Sequence, residues 1–165
     1  MQKFATLSDA IALAEFAHRN QLDKAGLPYI EHPKRVLAKV QAMGGLPYAQ
    51  IAAILHDVTE DTAFTAQMLL DLGFSEAAVN VIRLVDRNDS KARHESPLWK
   101  STGAYEKMTA DEFYYEGIRW NSGAKMVKLA DIEDNLSPWR LSYLSSETQA
   151  RLQAKYAKAK ELLNG

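Results

Sequence analysis

The chain has 165 residues, of which 47% are hydrophobic and 25% are charged, and its formal net charge is -1. This length suits one compact domain spanning residues 1–165, and the composition is too apolar for a disordered chain. The near-neutral charge, without a long run of lysine and arginine, argues against a nucleic-acid polymer as partner, and the absence of cysteine excludes disulfides and thiolate metal ligands.

No segment approaches the run of about 20 apolar residues that a membrane-spanning helix needs. The first residues also lack the continuous apolar core of a secretory signal. We therefore expect no membrane association and a cytoplasmic location.

Apolar residues follow the helical period almost throughout the chain, which predicts an all-α bundle. The first helix is predicted to follow caps at Ser8 and Asp9, and the second to begin at Pro33 and end before Gly44-Gly45. In chain order, the predicted helices cover approximately residues 10–21, 33–43, 47–58, 65–72, 75–86, 110–121, 124–136 and 147–163.

The third predicted helix ends in the stretch "AAILHDVTEDT", where a buried apolar run meets four ionisable side chains. His56 and Glu60 are four residues apart, as are Asp57 and Asp61, so a helix would gather them on neighbouring rows. Acids at a helix C-terminus are unfavourable for the helix dipole, and a divalent cation would compensate them. The alternative is a solvated helix end with a hydrogen-bonded histidine.

Two other segments offer ligands of the same kind. "PYIEHP" places His32 at a helix start, and "KMVKLADIEDN" places Asp131 within an apolar helix. Three separated segments therefore supply His, His-Asp and Asp, the mixed nitrogen and oxygen donors that a divalent transition metal accepts.

The order of these motifs resembles that of the HD-domain metal-dependent phosphohydrolases. More narrowly, "AHRNQLDKAGLPYIEHP", "ILHDVTEDT" and "VKLADIEDN" are similar to RelA/SpoT-type (p)ppGpp hydrolase domains and to the small metazoan SpoT homologues. The resemblance covers about residues 17–135. It implies a single-domain helical bundle that binds one divalent ion, usually Mn²⁺, through four side chains, namely His32, His56, Asp57 and Asp131.

The resemblance also implies roles for four further residues. Glu60 and Asp61 match a Glu-Asp pair that activates or positions the attacking water. Asn135 and Lys24 match residues that contact the nucleotide. The family has an arginine where this chain has Asp23, so recognition of the base is the point at which this chain departs from the family.

The implied activity is the metal-dependent hydrolysis of a nucleotide phosphate or pyrophosphate, with (p)ppGpp 3′-pyrophosphohydrolysis as the leading reaction. A 5′-nucleotidase or another nucleotide phosphatase of the same superfamily is one alternative. A non-catalytic nucleotide-binding sensor is another, although a sensor would not need the Glu60-Asp61 pair beside the metal.

Two further segments carry less specific signals. Residues 87–107 are polar and contain Pro97 and Gly103, which predicts a long loop that either contacts phosphate through its basic residues or is simply solvated. Trp139 and Tyr143 follow the break at Pro138, and they either cover the bundle or form a homodimer contact.

Overall fold

All regular elements in the computed structural model are helices, which confirms the predicted all-α class. The structure describes residues 4–101, 103 and 107–165. Within these ranges the only pairing of extended segments is a single bridge between Leu22 and Pro28, and no helix is long and apolar enough to cross a membrane. The helices are α1 (Leu7–Ala17), α2 (Glu31–Ala42), α3 (Pro47–Leu55), α4 (Val58–Asp61), α5 (Ala66–Asp71), α6 (Glu76–Val85), α7 (Arg87–Glu95), α8 (Pro97–Ser101), α9 (Ala110–Arg119), α10 (Ser122–Asn135), α11 (Pro138–Leu141) and α12 (Ser146–Asn164).

Helix α3 lies at the centre of the bundle and packs against α1, α2, α6 and α10. Its last four residues, 52–55, have no solvent-exposed surface. A helix that is apolar on all sides is stable only where neighbouring helices surround it. The burial of α3 therefore carries the His-Asp pair that follows it into the interior.

Helix α1 starts earlier than predicted because its cap is Thr6 rather than Ser8 or Asp9. The Thr6 hydroxyl accepts a hydrogen bond from the Asp9 N–H at 3.2 Å, and the Asp9 carboxylate accepts one from the Thr6 N–H at 2.8 Å. This reciprocal pair satisfies two backbone donors that otherwise lack partners at a helix start. Helix α2 also starts early, which puts His32 in its first turn.

The predicted helix through residue 58 is interrupted at the His-Asp pair. Helix α3 ends at Leu55, and the short helix α4 begins at Val58, so Glu60 and Asp61 belong to the new helix. The prediction of four ionisable residues at the C-terminus of one helix is therefore wrong. Asp57 caps the start of α4, and its carbonyl oxygen accepts a hydrogen bond from the Asp61 N–H at 2.9 Å.

The predicted loop at residues 87–107 is also wrong over its described part, because α7 and α8 occupy it. Asp86 caps α7 by accepting hydrogen bonds from the Asn88 and Asp89 N–H groups, at 2.8 and 3.0 Å. Arg93 pairs with Asp89 at 2.9 Å, one helical turn away. Capping and ion pairing stabilise this helix without an apolar stripe, so hydrophobic periodicity does not reveal it.

The turn between α2 and α3 depends on a glycine pair. Gly44 has a φ of +74°, which favours glycine. A Cβ on Gly45 would lie 2.5 Å from Val40 Cγ1 and 2.9 Å from the Val40 carbonyl oxygen. The backbone of α2 therefore approaches the start of α3 too closely for a side chain at position 45.

We predict that Gly45→Ala lowers the free energy of unfolding by about 1–3 kcal/mol, because the new methyl group forces the backbone apart. Gly117→Ala is the control, since its Cβ would meet only Leu84 Cδ2, at 3.6 Å. This helical change should stabilise the protein by about 0.5–1 kcal/mol. Chemical denaturation of both variants measures the difference, and equal stabilities would contradict the close packing at Gly45.

Candidate metal centre and active site

His56 occupies the break between α3 and α4 and is almost completely buried. Its Nδ1 lies 2.8 Å from the carbonyl oxygen of Ala53, which can only accept a hydrogen bond, so Nδ1 carries the proton of the neutral ring. The buried Nε2 makes no hydrogen bond in the described structure, although it lies 3.1 Å from Asp57 Oδ2. When the ring is neutral its lone pair is therefore on Nε2, the atom that faces the Asp57 carboxylate.

His32 approaches the same point from α2. Its Nδ1 lies 2.7 Å from Asp134 Oδ2, and its Nε2 lies 3.2 Å from Asp131 Oδ1 and 3.7 Å from Asp57 Oδ2. The structure thus brings the three predicted ligand segments together, with both imidazoles turned through Nε2 toward the same two carboxylates.

This donor set fits a divalent metal ion. One ligand atom from each of His32, His56 and Asp57 lies within 4.8 Å of the other two, and Asp131 borders the group. Two neutral imidazole lone pairs and two carboxylates repel one another unless a proton or a cation lies between them. Nitrogen and oxygen donors bound at about 2.0–2.2 Å to one ion are separated by roughly 3 Å, close to the shorter distances in this group.

Tyr29 fixes the Asp57 carboxylate. Its hydroxyl donates a hydrogen bond to Asp57 Oδ2 at 2.6 Å. Burial and the neighbouring Asp57 charge raise the pKa of Tyr29, so the hydroxyl remains a donor at neutral pH. Tyr29 therefore orients the oxygen that faces both histidines.

Asp131 is the most heavily bonded of the predicted ligands. Lys128, one turn earlier in α10, places Nζ 2.7 Å from Asp131 Oδ2, and Asn135, one turn later, donates to Oδ1 at 2.6 Å. Burial alone would raise the pKa of Asp131, but Lys128 and His32 outweigh it and lower the pKa well below its ordinary value. The carboxylate stays ionised, and its Oδ1 faces the histidines.

The two predicted catalytic acids have different surroundings. Glu60 is half-buried, and its Oε2 accepts a hydrogen bond from the Arg87 N–H at 2.9 Å. Burial raises its pKa, and this outweighs the opposing effect of that hydrogen bond. Asp61 is exposed, and its described hydrogen bond is a long one of 3.4 Å from the Gln21 amide. Of the two acids, Glu60 is therefore the more buried and the one held by a main-chain N–H.

A cavity of about 360 Å³ opens beside the metal centre. Both predicted substrate-binding residues, Lys24 and Asn135, line it, together with Tyr29 and Arg140. Trp139, Tyr143 and Tyr156 add aromatic surface. This size falls within the range of small-molecule sites, and the lining combines positive charge with aromatic rings, which suits a nucleotide.

Asp23 has a structural role in the loop that borders this cavity. Its Oδ1 accepts hydrogen bonds from the Ala25 N–H at 2.8 Å and the Leu27 N–H at 3.0 Å. The side chain is therefore part of the turn, whereas a guanidinium at this position would be free to stack or to pair with phosphate.

The basic residues predicted to reach phosphate from the 87–107 segment are largely used internally. Arg87 donates to Asp111 at 2.8 Å and to the Tyr115 hydroxyl at 2.9 Å, and Arg93 pairs with Asp89. His94 is half-buried and lies 3.1 Å from the Met108 carbonyl oxygen. The Arg87 contacts tie α7 to α9, whereas the Arg93–Asp89 pair lies within α7.

The sequence motifs did not identify four residues that shape this site: Tyr29, Lys128, Asp134 and Arg140. Lys128 precedes Asp131 by three residues in a predicted helix, so its spacing could have indicated the ion pair. Tyr29 stands within the quoted "PYIEHP" motif. Asp134 and Arg140 contact His32 across more than 100 residues of sequence, and no local pattern indicates such a contact.

Comparison with known proteins gave relatives named for (p)ppGpp hydrolysis and relatives named as GTP pyrophosphokinases. The chain is 32% identical over 126 residues to guanosine-3′,5′-bis(diphosphate) 3′-pyrophosphohydrolase of Haemophilus influenzae. The matched residues are 75% of this chain and 17% of that protein. It is 30% identical over 137 residues to a GTP pyrophosphokinase of Myxococcus xanthus. The matched residues are 82% of this chain and 17% of that protein. The chain thus spans less than a fifth of the length of these relatives. No family model matches it.

A solved structure shares the fold over the whole chain. It is that of a metazoan SpoT orthologue that hydrolyses ppGpp, with a TM-score of 0.73 and 23% sequence identity, covering 100% of this chain and 89% of the other. At this identity the likeness concerns the fold.

We predict that His56→Ala abolishes binding of Mn²⁺, because it removes the buried Nε2 that faces the Asp57 and Asp131 carboxylates. His94→Ala, a half-buried histidine outside the cluster, is the matched control and should bind Mn²⁺ as the wild type does. Metal content after dialysis and the rise in melting temperature on adding Mn²⁺ measure both variants, since an ion that binds only the folded state stabilises it. Equal Mn²⁺ binding by the two variants would contradict the site.

The affinity for Mn²⁺ should also fall as pH falls. Burial lowers the pKa of His56, but the adjacent Asp57 carboxylate outweighs it and raises the pKa to about 9 in the metal-free protein. At neutral pH the ring is therefore protonated, and an entering ion must displace that proton. Calorimetric titration at pH 6, 7 and 8 should show an affinity that drops by about tenfold or more per pH unit. An affinity independent of pH would show that His56 is not a ligand.

Proposed function

We propose that this chain, a homologue of the RelA/SpoT-type HD-domain hydrolases, is a metal-dependent nucleotide pyrophosphohydrolase whose leading substrate is (p)ppGpp. In this proposal residues 1–165 form a single HD-type domain. The observation that carries it is the convergence of His32, His56, Asp57 and Asp131 beside a cavity lined by positive and aromatic side chains. The named activity of the pyrophosphohydrolase relatives supports the choice of substrate.

The four ligand residues would hold the ion, and their mixture of imidazole and carboxylate donors suits Mn²⁺. A divalent ion at this position supplies a Lewis acid for a phosphoryl oxygen and lowers the pKa of water. Tyr29 and Lys128 keep Asp57 and Asp131 oriented and ionised, so the residues that bind the ion are set before substrate arrives.

Glu60 is proposed as the proton acceptor. A general base works best when its pKa lies close to the working pH, and burial moves the pKa of Glu60 in that direction. The Arg87 N–H binds Oε2, so the carboxylate is held in one orientation. Asp61, exposed and near Gln21, is proposed to position water at the edge of the site.

The cavity would hold the nucleotide with its phosphates toward the metal centre. Lys24 and Arg140 supply positive charge at its wall, and Asn135 links the wall to Asp131 through its amide. Aromatic surface from Trp139 and Tyr143 is available for stacking on a base. An aromatic ring stacks on any base, so the cavity can bind a nucleotide although position 23 is not an arginine.

Two finer features remain proposals. A homodimer is suggested by the exposed Trp139 and Tyr143, which form an edge-to-face pair with ring centroids 6.3 Å apart, although both also line the cavity. A cytoplasmic location is expected from the character of the sequence.

We predict that the protein with Mn²⁺ releases pyrophosphate from (p)ppGpp, and that Glu60→Gln lowers turnover by about 10²–10⁴-fold while Mn²⁺ still binds. The amide keeps the size of the side chain but cannot accept the proton. Glu76→Gln, a change in the first turn of α6, is the control and should leave turnover unchanged. Unchanged turnover in Glu60→Gln would overturn the role of Glu60.

The same assay separates the alternatives. A panel of nucleotides is incubated with Mn²⁺, and pyrophosphate and orthophosphate are measured separately. Orthophosphate from a mononucleotide, without pyrophosphate from (p)ppGpp, would indicate a 5′-nucleotidase. Tight nucleotide binding with neither product would indicate a sensor.

A further inference from the structure

Asp134 lies behind the metal centre and binds three cationic or potentially cationic side chains. It is 1% exposed. Its Oδ2 lies 2.7 Å from His32 Nδ1 and accepts a hydrogen bond from Arg140 Nη1 at 2.8 Å, and its Oδ1 accepts one from Arg35 Nε at 2.8 Å. Neither the sequence motifs nor the proposed reaction gives this residue a role.

The contact with His32 determines which nitrogen of the ring faces the metal centre. The Asp134 carboxylate is paired with two guanidinium groups, those of Arg35 and Arg140, each at 2.8 Å. An ionised carboxylate can only accept, so His32 Nδ1 must donate, and the neutral ring leaves its lone pair on Nε2. Arg140 Nη1 also lies 2.8 Å from His32 Nδ1, and Asp134 Oδ2 is the acceptor within reach of both nitrogens.

The contacts with the arginines extend from Asp134 to the cavity wall. Arg140 lines the cavity, and Arg35 stacks on Trp139, another lining residue, with Cζ 4.5 Å from the ring centroid. The Ser137 hydroxyl donates to the Asp134 carbonyl oxygen at 2.7 Å, just before α11, which carries Trp139 and Arg140. One carboxylate therefore holds both a metal-facing imidazole and the helix that forms the cavity wall.

The charge balance of this cluster favours an anionic ligand. Two guanidinium groups share one carboxylate, so the cluster keeps a surplus positive charge when His32 is neutral. Arg140 supplies that charge at the cavity, where its side chain is 18% exposed. A phosphate group entering the cavity would meet this charge.

We propose that Asp134 is a positioning residue that couples the metal centre to the phosphate-binding wall, because it orients His32 toward the ion and holds Arg140 toward the substrate. This inference rests on the proposed metal site and nucleotide cavity. Residues behind a metal ligand commonly change metal affinity by about 10–100-fold when they are replaced. Asp134 differs from such a residue because it also binds Arg140, the side chain proposed to contact the phosphate.

The test measures two affinities in the full chain, that of Mn²⁺ and that of inorganic pyrophosphate for the Mn²⁺-saturated protein, both by calorimetry. Asp134→Asn should weaken Mn²⁺ by about 10–100-fold and should also weaken pyrophosphate. Arg140→Gln should weaken pyrophosphate alone. Glu133→Gln is the matched control, because this neighbouring acid is exposed and pairs with Lys39, and it should change neither affinity.

Wild-type affinities for both probes in a folded Asp134→Asn protein would overturn the proposal, as would a loss in Mn²⁺ affinity that Arg140→Gln reproduces. If Asp134→Asn does not fold, the proposal is tested on the wild-type protein instead. Nitrogen NMR of the protein loaded with diamagnetic Zn²⁺ should show the Nδ1–H tautomer of His32, and the Nε2–H tautomer would overturn the proposal. None of these measurements needs turnover, so the failure of (p)ppGpp hydrolysis would leave this test intact.

Discussion

Negative charge buried at the centre of a helical bundle is the constraint on which this structure depends. Asp57 and Asp131 lie within 4 Å of both His32 and His56, Asp134 lies 2.7 Å from His32, and isolated carboxylates in such a place would be very costly. Each is compensated differently: Asp131 by Lys128, Asp134 by two arginines, and Asp57 by the Tyr29 hydroxyl and the histidines. A divalent ion would complete this balance between the two carboxylates and the Nε2 atoms of the histidines.

The fold makes this balance possible by bringing distant segments to one point. Helix α3 is buried on all sides and ends at the His-Asp pair, α2 contributes His32 from its first turn, and α10 contributes Asp131 and Asp134. These three helices pack against one another in the core. Two of the proposed ligands, His32 and Asp131, stand on packed helices, and His56 and Asp57 occupy the short break between α3 and α4, so the site can be set before any ion or substrate binds.

Much of this architecture follows from the sequence, and the exceptions have physical reasons. Apolar periodicity predicted eight helices, because a helix that buries one face carries apolar residues at helical spacing in its sequence. It did not predict α7, whose stability comes from the Asp86 cap and the Arg93–Asp89 pair. The motifs predicted the three converging segments, but Asp134 acts on His32 across the fold, and sequence spacing carries no information about such a contact. Only the packing of α10 against α2 shows that Asp134 binds His32.

The hydrogen bond that orients Glu60 comes from the main chain of Arg87 and not from its side chain. Every amino acid except proline carries the same N–H group, so the donor survives almost any substitution at position 87. The guanidinium of Arg87 is used separately to join α7 to α9 through Asp111 and Tyr115. A substitution at position 87 would therefore change how α7 and α9 are joined, while the N–H that binds Glu60 would remain.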